Sequence, residues 1–201
     1  MKNQKPLVIL LTVALIGFIS TGFIGFQYTK EAVIASKKQD VETMLTIASN
    51  QSYVYIEQYK QGLLTKQETD EKIIHFLSAM QFKSAYIWAN DNFGIARVHT
   101  RKEIIGQFQR SYVENMTELV NKKIYFRTQP NIKPISNQRV LKINGITKIP
   151  EWDWVIGYGL YMDDVNRVVF KARRLFIISL ILSMLMVSFV AFHFMRRKNN
   201  E

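Results

Sequence analysis

The chain of 201 residues is long enough for one domain of ordinary size, and its 27 Lys and Arg against 16 Asp and Glu give a formal net charge of +11. It contains no cysteine, so disulfide bonds, thiolate metal sites and a thiol nucleophile are excluded. The hydrophobic share of 48% is ordinary as an average, but the apolar residues are concentrated towards the two ends of the chain.

The first apolar run covers residues 7–27 and contains no charged side chain. Its length matches the ~20 residues that a helix needs to cross a hydrocarbon core of ~30 Å. A single segment can cross this core only as a helix, because no water is present to bond its backbone polar groups. The alternative is a cleaved signal peptide, which has a shorter apolar region of about 7–15 residues and small residues at its cleavage site. The length of the run and its bulky exit, Gly25-Phe26-Gln27-Tyr28, favour a transmembrane helix at 7–27 behind a stub of residues 1–6.

A long helix is predicted to continue from this span to about Tyr59. Its apolar stripe repeats every seven residues at Ile34, Val41, Ala48 and Tyr55, with Leu45, Ser52 and Tyr59 four positions after three of them. Dimeric coiled coils use the same repeat. The stripe therefore fits packing against the helix's own domain and a homodimer seam equally well.

A second helix is predicted after a break at Gly62. The segment from Thr65 to Glu68 has the form of a capping box, in which each of these two side chains bonds the other residue's backbone N–H. The helix is expected to end near Met80, with its apolar face at Ile73, Ile74, Leu77 and Met80.

Five strands are predicted next, because the periodicity changes to alternation between turn residues. They cover 85–89, 95–100, 123–128, 138–146 and 154–161, with a turn at 90–94 and a helical stretch around 112–121. Pro130 and Pro134 predict a loop between the third and fourth strands, and Gly94 supplies the positive φ of the turn. The pattern indicates an α+β fold with a five-stranded antiparallel sheet.

The last helix is predicted to start at Met162-Asp163-Asp164-Val165, where either aspartate can cap it, and to run into a second apolar span at 175–195. The stub 1–6 and the tail 196–201 together hold five bases and one acid. Because short basic ends stay on the cytoplasmic side, both ends are expected in the cytoplasm and the domain at 29–170 outside it.

Two parts of the chain resemble a known family. The first part comprises four short stretches: Gly62-Leu63-Leu64-Thr65, Ala85 to Gly94, Val98-His99 and Ile105-Gly106. The second part is the segment from Pro150 to Val165, which contains two tryptophans, a Val-Ile-Gly-x-Gly strand and an Asp-Asp pair. Together they are similar to the single Cache domain of bacterial sensors, over most of residues 29–165. Lys142 stands where the family often has a lysine.

The resemblance implies a PAS-like domain with a long N-terminal helix, held outside the bacterial inner membrane by two flanking spans, that receives small ligands such as short organic acids. The family usually places a cytoplasmic transmitter after the second span. Only six residues follow Met195, so the sequence predicts that this chain lacks its own transmitter. A second departure is Thr100, which follows His99 where the family commonly has proline.

A ligand pocket is predicted from side chains that share one face of neighbouring strands. Aromatic walls exclude water and cationic or hydrogen-bonding tips hold an anion, which suits a small carboxylate. The predicted ligand-binding residues are Tyr86, Trp88, His99, Tyr125, Arg127 and Lys142. The alternative is that the aromatic residues form ordinary core and the charged residues are solvated.

Other kinds of site have less support. Gly157 and Gly159 share a face, which fits a bare patch for a ligand or helix and, better, a strand that needs small residues for packing. Asp163 and Asp164 fit a helix cap better than a catalytic pair. The three scattered histidines lack a carboxylate cluster, and no catalytic motif is present, so we expect no metal, no cofactor and no enzymatic activity.

The function predicted from these features is a membrane-anchored sensor of a small anion, signalling through a separate partner in the membrane. Residues 29–174 carry 22 bases and 15 acids, a net charge of +7, which favours anionic ligands or anionic lipid headgroups. Nucleic acid is not expected outside the membrane. Two alternatives remain: an accessory or structural subunit whose external domain binds another protein, and a remnant of a longer chemoreceptor or kinase.

Overall fold

The computed structural model describes residues 5–82, 85–133 and 138–199. In chain order these residues form α1 (Lys5–Lys60), α2 (Lys66–Ala79), β1 (Gln81–Phe82), β2 (Ala85–Asn90), β3 (Ala96–Val98), a short 3-10 helix (Lys102–Ile104), α3 (Ser111–Glu118), β4 (Tyr125–Ile132), β5 (Arg139–Lys148), β6 (Val155–Tyr161) and α4 (Asp163–Asn199). They divide into two compact units. One spans Ala35–Asp163, and the other joins the beginning of α1 to nearly all of α4.

The unit formed by the beginning of α1 and by α4 contains two helical stretches long and apolar enough to cross a membrane, within Ile9–Lys60 and Arg167–His193. The predicted spans 7–27 and 175–195 lie within α1 and α4 and overlap these two stretches. The rings of Phe18 and Phe176 stack with centroids 5.7 Å apart. Gly22 lies so close to Phe176 that a Cβ there would overlap the ring.

The other unit is built on an antiparallel sheet in the order β2-β6-β5-β4, with β1 and β3 both pairing with the free edge of β2. The five predicted strands correspond to β2–β6, and the two-residue β1 is an addition. This confirms the α+β fold with a long N-terminal helix. The turn after β2 is also as predicted, with Gly94 at φ 76°.

Three predicted strand ends differ from the structure, and one of them is that of β5, which runs to Lys148 where 146 was predicted. β3 ends at Val98, two residues early, because His99 Nδ1 accepts the backbone N–H of Arg101 at 3.0 Å and turns the chain. β4 runs to Ile132 and includes Pro130, where a loop was predicted. Proline is tolerated there because β4 lies at the end of the sheet order, where no neighbour needs its missing N–H. Pro134 lies outside the described residues.

The start of α2 confirms the predicted capping box. The Thr65 hydroxyl accepts the backbone N–H of Glu68 at 3.2 Å, and the Glu68 carboxylate accepts that of Thr65 at 2.8 Å. Ile73 and Leu77 are fully buried, whereas Ile74 is only partly buried. The side chains of Asp163 and Asp164 are outside the described residues, so their capping role stays a prediction.

The core lies between the sheet and the helices α1 and α2. The stripe of α1 packs on its own domain through the buried residues Val41, Leu45, Ala48, Ser52 and Ile56. The predicted positions Tyr55 and Tyr59 are partly buried and exposed, respectively. A straight helix has 3.6 residues per turn and drifts by ~20° in each seven-residue repeat, so Ile56 replaces Tyr55 on the buried face.

Gly145 on β5 lies in close contact with side chains of α1. A Cβ at this position would overlap Val41 Cγ1 and would lie 3.0 Å from Leu45 Cδ1 and 3.3 Å from Phe126 Cε1. Because Gly145 has no side chain, α1 can pack this close to β5.

Gly145→Ala is expected to lower the free energy of unfolding by about 1–3 kcal/mol, because an added methyl group in a packed core forces its neighbours to move. Urea unfolding of the full-length protein in detergent, followed by tryptophan fluorescence, measures this change. Gly25→Ala is the control, since a Cβ at Gly25 meets no atom within 4 Å. An unchanged urea midpoint for Gly145→Ala would contradict the close contact with α1.

Candidate functional site

A cavity of about 140 Å³ lies on the face of the sheet opposite the core helices. Strand alternation creates this face, because Ala85, Ile87 and Ala89 of β2 enter the core and the residues between them point the other way. The cavity is lined by Tyr86, Trp88 and Asn90 of β2, Arg127, Gln129 and Asn131 of β4, Lys142, Asn144 and Ile146 of β5, and Ala96, His99, Ile104, Gln109, Ser111 and Asn115 of the segment from β3 to α3.

Five of the six predicted ligand-binding residues line this cavity together: Tyr86, Trp88, His99, Arg127 and Lys142. The sixth, Tyr125, is not among the lining residues. It pairs with Ile146 at the beginning of β4, and its ring lies near Lys122 Nζ, 5.0 Å away, and near the Arg127 guanidinium, 5.7 Å away. Tyr125 therefore contacts a wall residue, Arg127, and does not border the cavity.

Lys142 is a buried cation at the centre of the site, with 1% of its surface exposed. Its Nζ lies 3.8 Å from the centre of the Tyr86 ring and 5.6 Å from that of Tyr161. Among the described residues, no carboxylate forms an ion pair with it. Burial, with a smaller contribution from Arg101, lowers the pKa of Lys142 to about 7. The amine therefore changes charge near neutral pH, and a bound anion would favour its charged form.

His99 borders the cavity as a neutral ring. Burial, followed by the charges of Arg101 and Lys142, lowers the pKa of His99 to about 4. Because Nδ1 accepts the backbone N–H of Arg101, the proton of the neutral ring is on Nε2, which can donate a hydrogen bond. The ring meets Tyr86 edge to face, with centroids 5.5 Å apart.

The wall opposite the sheet is held by hydrogen bonds and by one ion pair to β4. The buried Asp91 accepts the backbone N–H groups of Phe93 and Ile95, each at 2.9 Å, and Arg97 Nε at 2.7 Å. In α3, Glu114 pairs with Arg127 of β4 at 3.2 Å. These contacts fix the turn after β2 and hold α3 against the sheet.

The sequence and the fold can be compared with known proteins. The family model of the Cache domain matches residues 15–174. The chain belongs to the Cache domain family. This confirms the resemblance drawn from the sequence. The comparison with curated proteins gave no match.

Several solved structures have a similar fold. A periplasmic sensor domain of a chemotaxis protein is 23% identical, with 65% of this chain and 98% of that chain covered and a TM-score of 0.58. A Cache chemosensory domain described for carboxylic acid recognition is 19% identical, with 66% and 98% covered and a TM-score of 0.58. A methyl-accepting chemotaxis protein from Vibrio parahaemolyticus RIMD 2210633 is 18% identical, with 70% and 98% covered and a TM-score of 0.56. At these identities the likeness establishes the fold.

The two glycines of β6 make room for side chains of the Cache cavity. Gly157 pairs with Trp88, and a Cβ at Gly157 would overlap the indole ring. A Cβ at Gly159 would overlap Lys142 Cε and would lie 2.6 Å from Asn144 Oδ1. The packing interpretation of these glycines is therefore confirmed, and the packed side chains belong to the cavity.

Sequence reasoning missed several polar residues of the Cache cavity. Asn144 and Gln129 could have been found, because each lies two residues from a predicted site residue on the same strand face. Asn115 and Ser111 come from α3, which only tertiary packing brings to the sheet. Within the described residues, no group of three or more His, Asp or Glu side chains is placed to hold a metal ion.

Proposed function

We propose that this chain is a membrane-anchored sensor whose Cache domain binds a short carboxylate outside the cytoplasm, in the cavity lined by Lys142. The observation that carries the proposal is a buried lysine in a small polar cavity with Tyr86 and Trp88 in its wall, and this lysine has no ion-pair partner among the described residues. A buried cation is costly unless an anion compensates it. A ligand carboxylate supplies that charge.

The size of the cavity supports a short acid. Its volume of about 140 Å³ is smaller than the roughly 300–1,000 Å³ of sites for drug-sized ligands. A carboxylate with about two to four carbon atoms fits this space. One similar structure was described for carboxylic acid recognition, the ligand class that the chemistry of this cavity also favours.

The donors around the cavity suit a carboxylate as well. In the proposed complex, Lys142 contributes the charge, and the protonated Nε2 of His99 contributes a neutral hydrogen bond. Tyr86 lies against both side chains and excludes water from them. Hydrogen bonds to a charged group contribute about 1.5–3 kcal/mol each, more than neutral ones.

In the proposed signalling route, a change at the cavity reaches α4 through the end of β6. Lys142 pairs with Tyr161, the last residue of β6, and the backbone N–H of Met162 donates to Leu141 O at 2.8 Å. α4 begins at the next residue and contains the second span. A shift of β5 on ligand binding would therefore reach α4 through one short connection and pass to a signalling partner in the membrane.

Gly159→Ala is expected to weaken propionate binding by about tenfold, because the new methyl group displaces the flexible end of Lys142. The free energy of unfolding should change by less than the free energy of binding. Calorimetric titration of the full-length protein in detergent measures the affinity. The urea midpoint of the same sample monitors folding. Unchanged affinity in a folded Gly159→Ala protein would contradict the role given to the Lys142 ammonium.

The proposed topology has two spans and both ends in the cytoplasm. The absence of cysteine makes labelling simple, since a single introduced cysteine is the only thiol in the chain. Asn121→Cys, in the exposed loop before β4, should react with a membrane-impermeant maleimide in intact cells, whereas Lys198→Cys should react only after lysis. The reverse pattern would overturn the proposed location of the domain and, with it, sensing outside the cytoplasm.

A further inference from the structure

We propose that the ligand carries a neutral hydrogen-bond donor on the carbon next to its carboxylate, as a 2-hydroxycarboxylate does. This inference rests on the proposed function and narrows the ligand class. It is drawn from two buried amide oxygens in the cavity wall.

Asn115 and Asn144 both line the cavity and are 1% and 6% exposed. The Oδ1 atom of each has almost no accessible surface and accepts no hydrogen bond from the described residues, so each amide would have to turn towards the cavity to meet a ligand donor. A buried polar atom left without a partner costs about 1–3 kcal/mol. The two atoms require donors, whereas a plain carboxylate offers acceptors only.

The position of Asn144 relative to Lys142 fits a donor beside the carboxylate. The two residues are on the same face of β5, two positions apart, and a Cβ at Gly159 would overlap both Lys142 Nζ and Asn144 Oδ1. The Lys142 ammonium and the Asn144 amide oxygen therefore both lie next to Gly159. A ligand carboxylate on Lys142 brings its second carbon next to Asn144.

The charges around the cavity favour a hydroxyl donor over an ammonium. The lining residues include Lys142 and Arg127, and Arg101 acts on both Lys142 and His99. None of the described residues that line the cavity is an Asp or Glu. Glu114 already pairs with Arg127, so a ligand ammonium beside Lys142 would meet an uncompensated cation, and a neutral O–H is the better donor.

The test compares four three-carbon acids that differ only at the second carbon: lactate, propionate, pyruvate and alanine. Each is titrated into the full-length protein in detergent by calorimetry. We expect lactate to bind at least about tenfold more tightly than propionate or pyruvate, and alanine to bind most weakly. Equal affinities for lactate and propionate, or tightest binding of alanine, would overturn the inference and leave carboxylate binding intact. No binding by any of the four acids would overturn both.

Two variants test whether Asn144 produces the preference for lactate. Asn144→Leu is expected to remove the preference for lactate, so that lactate and propionate bind with equal affinity. Asn131→Leu is the matched control, because Asn131 also lines the cavity but its Oδ1 already accepts the backbone N–H of Ile132 at 2.8 Å. A preference for lactate that survives in folded Asn144→Leu and Asn115→Leu proteins would refute the role of the two amides. The comparison of the four acids on the wild-type protein stands even if a variant fails to fold.

Discussion

Replacing Lys142 with methionine is expected to weaken propionate binding by about 100-fold, equivalent to about 2.8 kcal/mol. Methionine fills a similar volume and keeps the flexible apolar stem, but it removes the charge that the carboxylate requires. The free energy of unfolding of the ligand-free protein should not fall, because the substitution removes a buried cation that has no ion-pair partner among the described residues. Calorimetric titration and urea unfolding of the full-length protein measure the two quantities.

The matched control for this variant is Lys148→Met, on the same face of the same strand. Lys148 forms an ion pair with Asp153, is partly exposed and is not among the lining residues. Its replacement should change the propionate affinity by less than about twofold. Similar losses in the two variants would mean that the basic surface as a whole attracts the acid, and the specific site would be refuted.

Propionate binding is also expected to weaken about tenfold per pH unit above pH 7. The pKa of Lys142 is about 7, so half of the amines are neutral at that pH, and the proposed complex requires the charged form. Among its neighbours, His99 titrates near pH 4, and burial raises the pKa of Tyr86 above its ordinary value. Neither changes charge between pH 6 and 9.

The same pKa predicts how the stability of the ligand-free protein depends on pH. An unfolded lysine has a pKa of about 10.4, so between about pH 7 and pH 10.4 the unfolded state binds more protons than the folded state. Stability should therefore rise with pH across this window, and the rise should be smaller in Lys142→Met. Calorimetric titrations with propionate and urea midpoints at pH 6, 7, 8 and 9 measure how affinity and stability depend on pH. A propionate affinity independent of pH over this range would exclude Lys142 as the binding cation.

Local signals in the sequence predicted most of the fold. Five strands, the capping box at Thr65 and the turn at Gly94 follow from patterns that neighbouring residues determine. The strand ends at Val98 and Ile132 did not, because they depend on a side-chain hydrogen bond of His99 and on the edge position of β4. Such features follow from the assembled sheet, which alternation alone does not describe.

The candidate site was predictable to the extent that it follows strand alternation. Tyr86, Trp88, Arg127 and Lys142 were assigned to one pocket because they alternate on neighbouring strands, and all four line the cavity. Tyr125 follows the same alternation but lies at the beginning of β4, outside the cavity lining. The contribution of α3, above all the buried amide of Asn115, depends on how a helix packs across a sheet.

The most direct test of the proposed carboxylate site is a crystal structure of the protein with propionate bound. We predict that a carboxylate oxygen lies within hydrogen-bond distance of Lys142 Nζ, about 2.7–3.2 Å, with the acid in the cavity that Tyr86 and His99 line. An acid bound elsewhere on the domain, with Lys142 Nζ still without an anion, would contradict it.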